Sequence, residues 1–265
     1  MSRASGAALV FRDLTLGYGQ RPAVHHLAGA VPEGDLLAVV GPNGAGKSSL
    51  LKGIVGQVDV LGGSLDRCGR SVAEIGYLPQ RAEIDTAFPI SVLDFVATGA
   101  WRRVGAFRRI RGPELSRIET ALGRVSLTGF EARPIGTLSG GQLQRALFAR
   151  TIVQDSRLIL LDEPFAAIDE RTTGDLVEVV AGWHAEGRTV LAALHDHELV
   201  RRRFPSALFL AREPIAWGAP PSVLTPQNLA RSRRLTEAWS AQGEICDSDA
   251  HPHARNGPPD WRQAG

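Results

Sequence analysis

The sequence predicts an α/β fold built around a mostly parallel β-sheet. The first supporting observation is a set of three short, continuously apolar runs at 36–40, 158–161 and 190–194. Runs of this length, separated by long helical-looking segments, are typical of parallel strands that are buried on both faces. The second observation is a segment of mixed polarity at 10–18 with glycines at its end, which predicts a further strand near the N-terminus.

Polar residues follow each of the three apolar runs directly. They are Gly41, Asp162 and His195. Ligands of open α/β sheets bind in the crevice beyond the carboxyl ends of the strands. We therefore expect these three residues to converge on one ligand site.

The middle of the chain, roughly 90–150, is predicted to be helical. Ser91 and Asp94 form an N-cap pattern ahead of apolar residues, and no Gly or Pro interrupts 142–153. From about Gly243 the chain is rich in Gly, Pro, Asp and His and poor in apolar residues. We expect this last part to be a disordered polar tail.

The composition is that of a globular protein, with 43% hydrophobic and 22% charged residues in a chain of 265. Thirty basic side chains nearly balance 28 acidic ones, for a net charge of +2. A nucleic-acid surface normally shows a basic excess, so we expect no nucleic-acid partner and interpret the arginine runs near 201–203 and 231–234 as solvated surface. Cys68 and Cys246 fit no zinc or redox spacing, which favours a reducing compartment.

The sequence contains no candidate for a membrane-spanning or secretory segment. Residues 1–6 lack the apolar stretch of a signal peptide. No uninterrupted apolar run reaches the roughly 20 residues that a transmembrane helix needs. If the protein works at a membrane, we expect another chain to supply the membrane part.

The clearest motif follows the first apolar run and reads Gly41-Pro42-Asn43-Gly44-Ala45-Gly46-Lys47-Ser48. It fits the phosphate-binding loop pattern, with a buried strand before it and a helix-forming stretch at 48–55 after it. Its glycines let several N–H groups point at one phosphate cluster, and the following helix adds its positive end. We expect Lys47 to reach the outer phosphates and the Ser48 hydroxyl to bind Mg²⁺, with Ser49 beside it.

Two acidic residues end the second apolar run. Asp162 is placed to hold Mg²⁺ through water, and Glu163, one residue further on, is placed to polarise an attacking water. A positioned general base contributes on the order of 10²–10⁴ in rate. The alternative is that both acids merely end a strand and that one of them caps the next helix. The phosphate loop in the same sequence disfavours this alternative.

A third motif is the pentapeptide Leu138-Ser139-Gly140-Gly141-Gln142. Ser139 and the two glycines open a helix, so they are expected to present a hydroxyl and bare N–H groups to an anion. With this pentapeptide the sequence resembles the ABC ATPase family, whose signature it is. The resemblance runs from about residue 8 to residue 225.

The resemblance implies a P-loop NTPase core of the RecA-like type. It also implies an N-terminal antiparallel β subdomain and an α-helical signature subdomain, at about 90–150, inserted in that core. The ATPase domain is then expected at 1–240 and the polar tail at 241–265. In this family the signature of one subunit faces the phosphate loop of the other, so two ATP molecules lie in a head-to-tail dimer.

Further site residues are implied by the resemblance at matching positions. Tyr18 resembles the aromatic residue that stacks on adenine, with Val24 nearby, although a tyrosine in the core is the alternative. Gln80 resembles the glutamine that senses Mg²⁺ and the γ-phosphate, which makes Ser48, Gln80 and Asp162 the expected Mg²⁺ ligands.

The last two implied positions are Asp169 and His195. Asp169 ends Ala167-Ile168-Asp169, where the family more often has Ser-Ala-Leu-Asp, and is expected to cross the dimer interface. His195 matches the switch histidine that contacts the γ-phosphate, and it joins Glu163 as the expected catalytic pair. His197 is expected to be a surface residue.

The resemblance implies ATP and Mg²⁺ as cofactors, and three partners: a second copy, an integral membrane permease and an extracytoplasmic metal-binding protein. A peripheral location on the cytoplasmic face of the cell (inner) membrane follows. Residues 80–101 look like the ATPases of zinc, manganese and iron(II) importers, and 83–85 and 214–218 look most like the zinc branch. Manganese, iron, another substrate, or export are the alternatives.

A contact surface with the permease is one interpretation of a group of aromatic and basic residues, and a solvated amphipathic helix is the other. The group is Trp101, Arg102, Arg103, Phe107, Arg108 and Arg109. A flexible tail explains Cys246, His251 and His253, with regulatory metal binding as the alternative. A non-transport ABC ATPase is disfavoured because two cassettes, zinc modules or coiled-coil insertions are missing from the sequence.

Overall fold

The computed structural model describes residues 6–105 and 110–242. Phe107, Arg108, Arg109 and the tail from residue 243, with Cys246, His251 and His253, lie outside these ranges. The strands are β1 (Ala7–Tyr18), β2 (Arg21–Pro32), β3 (Leu36–Val40), β4 (Asp59–Asp66), β5 (Ile75–Leu78), β6 (Leu158–Asp162), β7 (Thr189–Leu194), β8 (Ser206–Ala211) and β9 (Glu213–Gly218).

The α-helices are α1 (Lys47–Ile54), α2 (Val92–Ala97), α3 (Trp101–Val104), α4 (Pro113–Arg124), α5 (Gly140–Gln154), α6 (Glu170–Ala185), α7 (His197–Arg203), α8 (Pro220–Val223) and α9 (Pro226–Gln242). Short 3-10 helices lie at Val72–Glu74, Arg81–Glu83, Thr98–Ala100 and Ile135–Thr137. The apolar runs expected as strands are β3, β6 and β7. Helix α9 reaches two residues into the range expected as tail.

The described chain forms two compact units, and the first contains residues 6–33, 37–69 and 195–242. One part of it is an antiparallel sheet with the strand order β2-β1-β4. Leu14 faces Leu27 across the β1–β2 pair, and both side chains are fully buried. The expected antiparallel β subdomain near the N-terminus is therefore present.

The other part of the first unit holds the strand that leads to the phosphate loop. Strand β3 pairs in parallel with β8, with Val40 opposite Phe209, and β8 pairs antiparallel with β9. All five residues of β3 are buried, as expected for a strand covered on both faces. Helix α1 approaches β1 closely at Gly53. A Cβ added there would lie 2.9 Å from Leu16 Cδ2, which is too close for a side chain.

The second unit contains residues 34–36 and 70–194, apart from the gap at 106–109. Its three strands are parallel in the order β5-β6-β7, and both β6 and β7 are buried along their whole length. Helix α6 packs on β7. The Trp183 ring of α6 stacks on Phe148 of α5, with centroids 5.9 Å apart.

The helical layer of this second unit is centred on α5, against which α2 and α4 pack. The predicted cap at the start of α2 is present: Ser91 Oγ accepts a hydrogen bond from the Asp94 N–H at 3.1 Å. The α/β class, the parallel pairing of β3 with β8 and of β5, β6 and β7, and the helical middle segment are confirmed. Within the described ranges, none of the helices combines the length and the apolar character that crossing a bilayer requires.

Candidate nucleotide site

The phosphate loop lies in the first unit, between β3 and α1, and its conformation depends on glycine. Gly44 and Gly46 have φ angles of 74° and 92°, a left-handed region that side chains rarely adopt. A Cβ at Gly46 would also overlap the carbonyl of Ala23 and lie 2.8 Å from Val24 Cγ2. The loop tip at Asn43 and Gly44 is exposed. The backbone is therefore already curled as a phosphate cradle requires.

Lys47 is the first residue of α1, and its side chain is folded into the loop. It is only 5% exposed, and Nζ donates to the carbonyls of Gly41 at 2.9 Å and Pro42 at 3.0 Å. Ser48 and Ser49 follow in the first turn and are half-buried. The ammonium group is thus held at the loop, where the outer phosphates of a nucleotide would bind.

Two backbone hydrogen bonds of Arg212, which the sequence did not reveal, connect the phosphate loop to distant parts of the chain. The Arg212 N–H donates to the Ala45 carbonyl at 2.8 Å, and the Arg212 carbonyl accepts from the His25 N–H at 2.7 Å. Arg212 has a φ of 62°, which costs a non-glycine residue roughly 1–2 kcal/mol. No local sequence signal marks it, because the contact joins distant parts of the chain.

The two residues expected at the adenine base have different environments. Tyr18 is 53% exposed, so the alternative of a tyrosine in the core is excluded. Leu61, itself 40% exposed, packs over Gly17 beside it. Val24 is fully buried and packs against Gly46. The expectation of direct nucleotide contact by Val24 is therefore corrected, since its side chain supports the loop from inside the unit.

Asp162 and Glu163 lie in the second unit, where β6 ends. Asp162 is fully buried and Glu163 is half-buried. The Glu163 N–H donates to the Ala193 carbonyl of β7 at 3.2 Å. Its φ of 50° is left-handed, and residues other than glycine pay roughly 1–3 kcal/mol for such conformations, which concentrate at functional sites.

The signature residues also lie in the second unit, at the start of α5. The Gln142 N–H donates to Ser139 Oγ at 3.3 Å, and the Ser139 N–H donates to Gln142 Oε1 at 2.9 Å. This reciprocal capping box corrects the expectation that Ser139 presents a bare N–H group. The Ser139 hydroxyl accepts in the box and keeps its proton for donation to another group. The N–H groups that remain for an anion at this turn belong to Gly140 and Gly141.

Two charged side chains flank those glycines. A Cβ at Gly140 would lie 3.1 Å from Arg81 Cζ, and a Cβ at Gly141 would lie 3.9 Å from Asp169 Oδ2. A side chain at Gly140 would therefore displace the Arg81 guanidinium, whereas one at Gly141 would make only ordinary contact with the Asp169 carboxylate. Arg81 was missed by the sequence reasoning, although it directly follows Gln80.

Asp169 caps α6 instead of projecting freely. Oδ1 accepts from the Thr172 N–H and Oδ2 from the Thr172 hydroxyl, both at 2.8 Å. The backbone hydrogen bond from Thr172, followed by the side-chain bond, lowers the pKa of Asp169, and Arg145 lowers it further. The carboxylate is therefore ionised at neutral pH.

Gln80 follows β5 in the second unit and is half-buried, with its carbonyl accepting from the Glu83 N–H at 3.0 Å. Ser48 in the first unit carries a hydroxyl oxygen, and Gln80 and Asp162 in the second unit carry an amide and a carboxylate oxygen. Hard oxygen ligands of these three kinds suit Mg²⁺. The donor chemistry therefore fits the ion that the sequence predicted.

The two histidines after β7 differ in exposure. His195 is exposed, as a residue that contacts a ligand should be, whereas His197 is half-buried. The His197 ring packs edge-on against Phe209 of β8, with centroids 6.4 Å apart. His197 is thus only partly a surface residue, because its ring packs against the strand next to β3.

Burial lowers the pKa of His197, and the positive charges of Arg201, His195 and Lys47 lower it further, against an opposing effect of Asp196. The folded protein thus binds this proton less tightly than the unfolded chain, whose histidines titrate near pH 6.5. The neutral His197 ring therefore contributes to the free energy of unfolding. This contribution is complete above pH 6.5 and is lost as the pH falls through the lower pKa of the folded protein.

We expect the melting temperature of the wild type to fall more between pH 7.5 and pH 5.5 than that of His197→Gln. Thermal unfolding at several pH values checks this, with His184→Gln in the other unit as a control for the loss of an imidazole. Parallel pH profiles of wild type and His197→Gln would contradict it.

Comparisons with known proteins agree with these motifs. The family model described as "ABC transporter" matches residues 24–166. The manganese transport system ATP-binding protein MntB of Bacillus subtilis is 35% identical over 224 residues, which cover 83% of this chain and 90% of MntB. The zinc transport system ATP-binding protein TroB of Treponema pallidum is 36% identical over 258 residues, which cover 95% of this chain and 97% of TroB.

Solved structures show the same fold. An inward-facing structure assigned as a metal-chelate type ABC transporter matches with a TM-score of 0.76 and 29% identity, covering 86% of this chain and 89% of that chain. The ADP conformation of an ATP-binding cassette of an ABC transporter matches with a TM-score of 0.71 and 20% identity, covering 86% and 98%. The predicted architecture is confirmed by both.

Proposed function

Because the chain belongs to the ABC transporter family as an ATP-hydrolysing subunit, we propose that it powers the import of a divalent metal ion through a separate membrane permease. The observation that carries this proposal is the likeness, over most of the chain, to ATP-binding proteins of metal transport systems. Zinc is the first candidate on the sequence resemblance at 83–85 and 214–218. Manganese is the second candidate. The relative named for manganese is 35% identical to this chain and the relative named for zinc is 36% identical, so identity alone does not separate the two metals.

ATP binding is proposed to begin at the phosphate loop. Lys47 exchanges its bonds to the Gly41 and Pro42 carbonyls for the outer phosphates, which costs little because the ammonium is already held at the loop. Tyr18, exposed and aromatic, offers a flat face to the adenine. Ser48, Gln80 and Asp162 would hold Mg²⁺, and the ion would neutralise phosphate charge.

Two copies are proposed to close over two ATP molecules. The Ser139 hydroxyl and the N–H groups of Gly140 and Gly141 then contact the γ-phosphate held by the other copy. Glu163 takes the proton of the attacking water, and His195 steadies the charge that develops on the phosphate. Asp169 lies at the interface as an ionised cap. The ATPase domain is taken as 1–240, with the signature helices near 90–150 inserted.

The permease contact is proposed around residues 80–101. Phe88 and Trp101 are large apolar side chains that are 62% and 51% exposed, as a docking surface requires. Arg103 is a weaker candidate than the sequence suggested. It is paired with Glu114 at 2.9 Å, and it donates to the Val153 carbonyl at 2.8 Å. We propose that an extracytoplasmic metal-binding protein delivers the ion. The contact with the permease places the subunit peripherally on the cytoplasmic face of the membrane.

Metal content of cells tests the proposed cargo. In a deletion strain of the source organism grown under metal limitation, we expect the content of one metal, zinc first, to fall. Wild type restores it, whereas Glu163→Gln does not, because import depends on hydrolysis. Mass spectrometry of zinc, manganese and iron in the same samples measures the result.

The control is Glu170→Gln, an exposed acid at the start of α6 that should restore the metal like the wild type. A fall in manganese alone would replace zinc with manganese as the cargo. No change in any of the three metals would overturn metal import and leave the ATPase function untouched.

A further inference from the structure

Gln144 is a buried polar side chain in the second turn of the signature helix α5. It is only 2% exposed, whereas Ser139 at the start of the same helix is exposed. Buried polar side chains in folded proteins are nearly always hydrogen-bonded. The partner here lies in the segment that follows β6.

The Gln144 Nε2 atom donates to the Pro164 carbonyl at 2.8 Å, a bond that is buried and joins residues 20 positions apart. Pro164 directly follows Glu163, and its nitrogen carries no hydrogen. The carbonyl that Gln144 holds is therefore the first main-chain polar group after the glutamate.

Glu163 has a left-handed backbone that must be held from both sides. Its N–H donates to the Ala193 carbonyl at 3.2 Å, and its carbonyl accepts from the Ala166 N–H at 3.2 Å. Such conformations persist when the surrounding structure determines them. The hydrogen bond from Gln144 fixes the main chain directly after Glu163, at Pro164. The donor belongs to α5, the helix that carries the signature.

We propose that Gln144 is a positioning residue for Glu163 and links the signature turn to the glutamate of its own subunit. The proposal rests on the proposed function, in which Glu163 acts on the attacking water and the signature closes on the partner's nucleotide. Closure of the signature at one ATP site then changes, through α5 and Gln144, the position of Glu163 at the other ATP site.

The first test is Gln144→Met, which keeps the length of the side chain and removes the donor. We expect kcat for ATP hydrolysis to fall roughly 10- to 100-fold, since a displacement of about 1 Å costs on the order of 10²-fold. KM for ATP should stay within about two-fold of the wild type, because the phosphate loop is unchanged. Cooperativity in ATP should fall with kcat.

The matched control is Gln154→Met on the same helix. The Gln154 Nε2 atom also donates to a main-chain carbonyl, that of Ile75 at 3.0 Å, at the opposite end of α5 from the signature. Loss of this bond should lower the melting temperature and leave kcat and cooperativity unchanged. If both variants lose kcat equally, or if folded Gln144→Met keeps wild-type kcat, the positioning role is overturned. Lowered kcat with unchanged cooperativity would overturn the link to the signature.

Gln144→Glu keeps the proposal testable if the methionine variant does not fold. A buried carboxyl group donates a hydrogen bond only when it is protonated. We expect its kcat, relative to the wild type, to rise as the pH falls from 8 to 6, at a temperature at which the variant is fully folded at both pH values, so that a change in folded fraction does not produce the rise. A flat ratio would overturn the donor role.

Glu163→Gln separates the two hypotheses. If it forms no ATP-dependent dimer in gel filtration, the dimer of the proposed function fails. The kcat of Gln144→Met still decides whether Gln144 positions Glu163.

Discussion

Glu163→Gln is expected to lower the ATPase rate by roughly 10²–10⁴-fold, the typical contribution of a positioned general base. The amide keeps the size of the side chain but cannot accept the proton of the attacking water. Glu163 is half-buried and adopts a φ of 50°, and glutamine, which has the same size and shape, can keep this backbone conformation in the variant. Steady-state hydrolysis measures the loss.

The same variant should keep its nucleotide, because the phosphate loop is untouched. We expect gel filtration with ATP and Mg²⁺ to show a stable dimer, and the wild type to show mostly monomer as ATP is consumed. Glu170→Gln, an exposed acid in the first turn of α6, should retain wild-type hydrolysis. Wild-type hydrolysis by Glu163→Gln would rule out the glutamate as the base, and a variant that stays monomeric would contradict the ATP sandwich.

Lys47→Ala should abolish tight ATP binding and lower hydrolysis by at least roughly 10²–10³-fold, the loss typical of removing one donor to developing charge. Removal also leaves the carbonyls of Gly41 and Pro42 without the bonds that Nζ donates. Binding of a fluorescent ATP analogue, followed by titration with unlabelled ATP, measures the affinity.

The chain offers a stringent control, because Lys47 and Lys52 are its two lysines among 30 basic residues. Both lie on α1, and Lys52 is in the last turn. Lys52→Ala should therefore bind ATP like the wild type. Lys47→Arg should fail, since a planar guanidinium does not replace a compact ammonium in a closed loop. ATP affinity that survives in Lys47→Ala would remove the lysine from the site.

The sequence alone predicted much of the fold and the site, because the evidence was local. Strand β3 and the loop after it are encoded by consecutive residues, as are Ser139 and Gln142, whose capping box needs only neighbours in one helical turn. The apolar runs predicted β6 and β7 for the same reason. The family assignment followed from motifs of this kind.

Other features were decided only by the tertiary structure. Burial turned Val24 into support for the phosphate loop and placed His197 against Phe209. The backbone bond from Arg212 to Ala45 and the bond from Gln144 to Pro164 left no trace in any motif. The physical reason is that hydrogen bonding and burial depend on which distant segments meet, whereas propensity and spacing describe only residues within a few turns of one another.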